Sequence, residues 1–162
     1  MNDTALVVRL REVFEGGAGA FQGALRFLPL VTLESGARIA LDPDAHWVLV
    51  PGDGRPACVY SDEAAHLMHE VIEEKRERFD DALEKKARAS GLPPDDVVMG
   101  FPAVPVVRSI LAKKSSYLTR LALEWVLPSE RRELREEILE VTRTDNMPAQ
   151  VKELARRLLV RE

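Results

Sequence analysis

Sulfur, aromatic rings and long apolar runs are all scarce in this 162-residue chain. The single cysteine, Cys58, leaves no partner for a disulfide within the chain, which fits a reducing compartment. The most apolar window, residues 19–33, is interrupted by Gln22 and Arg26 and falls short of the roughly 20 residues a membrane helix needs. The start of the chain has an acid at Asp3 and no basic stretch ahead of an apolar one, so it does not read as a secretory signal. The expectation is a cytoplasmic protein with no membrane partner. Aromatic residues make up only 6%. Trp47 and Trp125 are therefore expected as core anchors, one in a sheet and one among helices, each needing an acceptor for its indole N–H.

Catalytic signatures are also missing. The glycines at 16, 17, 19 and 23 match neither the dinucleotide fingerprint nor the Walker loop, and no Lys-Ser/Thr pair follows them. The Pro-Gly-Asp-Gly run at 51–54 lacks the later oxygen ligands of a calcium loop. No Gly-x-Ser-x-Gly elbow offers a serine nucleophile. Cys58 sits in an Ala-Cys-Val-Tyr run that reads as strand packing, and activating its thiol would take a neighbouring histidine such as His46. The zincin pattern and its inversion are absent.

What the chain does have is 46% hydrophobic residues, 31% charged residues and a formal net charge of −4. That supports one folded domain of 162 residues and argues against a protein that coats nucleic acid. The abundance of Ala, Arg, Val, Leu and Glu fits a GC-rich bacterial genome. All but two of the nine glycines precede Ser61, and charged stretches of helical period follow it. The fold class expected is α+β: a small antiparallel β-meander over about residues 1–60, packed on a mainly helical bundle over 61–162.

Within the first part, residues 4–14 fit a short helix capped by Thr4 or a strand. Residues 21–33 and 37–41 read as a hairpin across Glu-Ser-Gly. Asp42-Pro43-Asp44 is a turn, and residues 46–50 and 57–60 flank another. Three or four strands follow from this. In the second part, Ser61-Asp62-Glu63 starts a long helix that continues to Ser90-Gly91, where glycine and Pro93 end it. Glu74 with Arg78, Asp81 with Lys85 and Glu84 with Arg88 have favourable i,i+4 order along it. An apolar, proline-marked connector follows at 97–104. A second long helix is expected over about 105–126, a third capped by Ser129, and a fourth beginning at Pro148. Two segments, 127–141 and 146–160, share a turn-Pro-helix shape, too few copies for a solenoid.

Two constellations stand out. Glu63, His66, Glu70 and Glu73 are spaced three, four and three apart, which places them on one face of an α-helix, with donor types that can hold a divalent cation. The competing reading is a solvated polar face opposite Met68 and Ile72. The second long helix has no acid between Phe101 and Ala122 but carries Arg108, Lys113, Lys114 and Arg120. Lys113, Tyr117 and Arg120 fall on one side of it. Lys114 continues an apolar row and reads as a stem snorkelling at its edge. This basic stripe suits an acidic protein surface.

The function expected is a non-enzymatic protein-protein interaction module, a bacterial adaptor, regulator or immunity-type protein. It would act through an acidic face on the first long helix and a basic stripe (Arg108, Lys113, Lys114, Tyr117 and Arg120) on the second, with no cofactor. Its partner is another protein with an acidic surface, or a second copy of the chain. The alternative is a metal-binding helical protein or metal-dependent enzyme using Glu63, His66, Glu70 and Glu73. A weak nucleic-acid binder using Lys113 and Arg120 ranks third, since four positive charges on an acidic protein make a slight footprint.

Overall fold

The computed structural model describes residues 4–160. The fold is α+β, with a five-stranded antiparallel sheet followed by a mostly helical region. Among the described residues the chain forms two compact units, each built from two segments: residues 4–61 with 77–101, and residues 62–76 with 102–160.

The first unit opens with α1 (Ala5–Glu15), whose first turn is capped by Thr4 accepting from the Val7 amide. The five strands are β1 (Ala20–Gln22), β2 (Leu25–Thr32), β3 (Arg38–Leu41), β4 (Trp47–Val50) and β5 (Cys58–Val59). They pair in sequence order as a meander. The expected single strand over 21–33 is in fact two, because Gly23 turns the chain at φ 59° and sets Gln22 against Leu25. The sheet therefore has five strands, not three or four. Phe27, Ala40, Val48 and Val50 pack as its apolar cluster. Asp42 fixes the β3–β4 turn: its carboxylate is buried and accepts from the Asp44 and His46 amides and from the His46 ring. Those bonds hold Ala45 in the left-handed region at φ 65°.

This unit also contains α2 (Arg76–Ala89) from Glu77 onward and α3 (Pro94–Gly100), so the apolar connector is itself helical. Gly91 ends α2 at φ 73°, with Leu92 N–H donating to Ala87 and Gly91 N–H to Arg88, the paired pattern of a Schellman stop. Three rings tie the strand and helices together. Trp47 and Phe79 both meet Phe101 edge-to-face, with centroids 5.1 and 4.8 Å away, and the Trp47 indole donates to the Gly100 carbonyl at 2.9 Å.

The second unit holds a 3₁₀ helix, Asp62–Glu73, and four α-helices: α4 (Ala103–Leu111), α5 (Ser116–Trp125), α6 (Arg135–Arg143) and α7 (Ala149–Val160). α4 packs on the 3₁₀ helix, α5 and α6, and α7 packs on α5 and α6. Three helix expectations are corrected here. The long helix expected from Ser61 to Ser90 is a 3₁₀ helix and an α-helix separated at Glu74–Lys75, so Glu74 and Arg78 do not share one helix. The pair Glu84–Arg88 does close, at 2.6 Å. The second long helix divides at Lys113–Lys114 into α4 and α5. The third begins at Arg135 rather than after Ser129, which lies in a short 3₁₀ turn, Pro128–Glu130. Asn146, at φ 63°, ends α6 and leads into α7 as the Thr-Asp-Asn run implies.

The first break is held by a cluster of polar contacts. Trp125 donates its indole N–H to the Glu74 carbonyl at 2.7 Å. Arg76 donates to the Trp125 carbonyl, pairs with Glu130 at 2.9 Å, and lies 4.8 Å from the Trp125 ring centre. Both side chains of that pair are largely buried, 10% and 15% exposed. Glu130 also accepts from the Leu127 amide.

Candidate interaction site

A 3₁₀ helix has three residues per turn, so positions three apart eclipse and positions four apart diverge. Along Asp62–Glu73 the buried row is Ala65, Met68 and Val71, with Ile72 beside it. Glu63 and His66 fall in a second row, and Glu70 and Glu73 in a third. The single face that α-helical spacing implies is thus divided into two. Among the described residues no group of three or more His, Cys, Asp or Glu side chains is placed to hold a metal ion. His69 was missed in reading the sequence. It follows His66 by three and shares its row, and its ring Nδ1 lies 3.2 Å from the His66 carbonyl, which it can meet only as an N–H donor. Cys58 is registered against Leu49 of β4, three residues along from His46, so the strand pairing does not set thiol beside imidazole.

The five basic-stripe residues occupy three settings rather than one face. Arg108 lies on α4, paired with Glu137 of α6 and donating to the Glu133 carbonyl. Arg120 lies on α5 and pairs with Glu124 one turn on, at 3.0 Å. Lys113 and Lys114 form the α4–α5 turn, and Tyr117 stands exposed in the first turn of α5. The turn has a local cause. Lys113 N–H donates to Ile110 and Lys114 N–H to Leu111, ending α4. Ser115 then caps α5 by accepting from the Leu118 amide. Between these, Lys114 takes φ 55°, a left-handed conformation that disfavours a side chain with a Cβ and that glycine adopts freely. The run Ser115-Ser116 followed by apolar residues was the signal for this second helix start.

Beside this turn is a groove of about 330 Å³, at the lower end of the size range for ligand clefts. Leu111, Ala112, Val141 and Met147 supply its apolar lining. Lys114 stands on one side of it, and Glu136 and Glu140, one turn apart on α6, on another. The Arg108–Glu137 pair is also part of the wall. Sequence reading missed the groove because its lining comes from α4, the α4–α5 turn, α6 and the α6–α7 turn, residues up to 39 positions apart. Lys113 and Lys114 form no ion pair among the described residues. No helix among those residues is long and apolar enough to cross a membrane.

Compared with protein-family models, curated proteins and solved structures, the chain matches none.

Proposed function

We propose that the chain is a non-enzymatic protein-interaction module that docks a partner at the α4–α5 turn and the groove beside it. One observation carries the reading: exposed Lys114, held at φ 55° where glycine is easier, lines an apolar groove, with exposed Lys113 next to it in the chain. Backbone strain of this kind costs about 1–3 kcal/mol and brings no packing at an exposed residue. It does fix where the side chain leaves the turn. An apolar floor supplies area to bury, and the charges around it supply encounter rate and selectivity. The basic pair favours an acidic surface on the partner. Glu136 and Glu140, which also line the groove, favour a cation beside them.

The roles of the basic residues then differ. Lys113 and Lys114, with Tyr117, are the contact set. Arg108 and Arg120 already meet glutamates within the chain and act as supports for the groove and for α5. The bacterial and cytoplasmic setting of an adaptor, regulator or immunity-type protein belongs to the same proposal.

The test is quantitative co-purification from source cells with three tagged chains: the wild type, the double reversal K113E/K114E, and a control reversal at Arg156 on α7. The proposal expects a partner that the wild type and the control retain and the double reversal loses. A set of partners equal for all three chains would remove the turn from the account.

A further inference from the structure

We infer that the groove beside the α4–α5 turn receives α3 of a second copy of this chain, with Met99 as the anchor. The inference rests on the interaction-module reading and names its partner. Met99 is 84% exposed, more than any other large hydrophobic residue described. Its neighbours differ sharply: Val97 on α3 and Phe101 just after it are buried and hold the helix to its own unit. Asp95 and Asp96 precede Met99 by four and three positions, so on an α-helix they share its face, and both are exposed. α3 therefore presents one unbranched apolar side chain flanked by two carboxylates.

The groove has the complementary chemistry. Its lining is Leu111, Ala112, Val141 and Met147, and its lip carries Lys114 next to Lys113. Methionine suits such a site, because a flexible thioether fills an irregular apolar gap without a fixed shape. The acidic rim has a counterpart as well. The last turn of α2, which precedes α3 in the chain, carries exposed Lys86, a cation for Glu136 and Glu140. Each surface thus carries a base for the other's acids. The contact is small, toward the low end of interface size, so the association is weak and salt-sensitive.

Sedimentation equilibrium at chain concentrations up to about 1 mM, the scale on which weak contacts populate, tests this at low and high salt. The weight-average mass is expected to rise above the monomer at low salt and to fall back at high salt. Met99→Asp, at a site where no core packing is lost, should weaken association by at least about tenfold, the loss expected for a central anchor. Met99→Leu should keep it. D95K/D96K and K113E/K114E should each abolish association, and the chain carrying all four substitutions should recover it. A wild-type chain that stays monomeric at the highest concentration overturns the inference and leaves the wider reading to the co-purification result. Association unchanged by Met99→Asp overturns it too, with self-association then placed elsewhere on the surface.

Discussion

At Glu74–Lys75 the backbone turns within a set of charges that answer one another, whereas at Lys113–Lys114 it turns with its charges exposed. In the first, Arg76 is enclosed by Glu130, the Trp125 carbonyl and the Trp125 ring, and the Glu74 carbonyl is taken by the Trp125 indole. In the second, serine capping and two short-range amide bonds suffice to make the turn, and Lys114 adds only a left-handed backbone. The difference separates a break that folding requires from a break that folding merely tolerates. Residues in the first should govern stability, and residues in the second should govern association.

The largest effect expected is at Arg76. Arg76→Ala leaves Glu130 largely buried without its cation, and removal of one partner from such a pair costs about 3–5 kcal/mol. Urea unfolding measures it. A loss below about 1 kcal/mol, the value of an exposed pair, would erase the contrast between the two breaks. Next is Thr119→Val on α5. The Thr119 hydroxyl is buried with no hydrogen-bond partner among the described residues, so replacing it with a methyl group should raise stability by about 1 kcal/mol; a decrease in the unfolding midpoint would mean that the hydroxyl is bonded. Lys114→Gly should raise stability by about 0.5–1 kcal/mol by removing the left-handed strain, while weakening association. If it stabilises the chain and leaves association intact, the lysine is not part of the contact. The same exchange at Ala45 should stabilise the β3–β4 turn with no effect on association.

The smallest effect sits on a third turn, between β4 and β5. There the Arg55 side chain, and then its backbone amide, donate to the Asp53 carboxylate and hold its pKa below the ordinary 3.8. A lowered carboxylate pKa stabilises the fold above the unfolded value, and that contribution fades as pH falls through the lowered one. Asp53 is exposed, so the effect should appear in an NMR titration of Asp53 and not in the unfolding midpoint. Arg55→Ala should return the titration toward 3.8.

Much of the local structure was legible in the residues. Thr4, Gly91, Asn146 and the Asp42 turn do what their chemistry implies, because each acts on neighbours within a few positions. Both tryptophans anchor cores and find carbonyl acceptors, though those acceptors are 53 and 51 positions away and could not be named in advance. The long helices misled because apolar period alone does not register a break. Ala65, Met68 and Val71 fit a 3₁₀ row as well as an α-helical stripe, and the Lys113–Lys114 turn interrupts a pattern whose apolar residues remain in step across it. The consequence reached the candidate sites directly: a stripe and a ligand face that exist only on continuous α-helices were divided. The groove and the exposure of Met99 depend on tertiary packing, which periodicity does not encode.

The claim that the groove beside the exposed break receives α3 of a second copy is tested most directly by backbone amide NMR of the wild-type chain on dilution. The account predicts that resonances of α3, of the Lys113–Tyr117 stretch and of Val141 and Met147 shift together as concentration falls, with the Arg76 cluster unmoved. Spectra that do not change with concentration, or shifts confined to other elements, would contradict it.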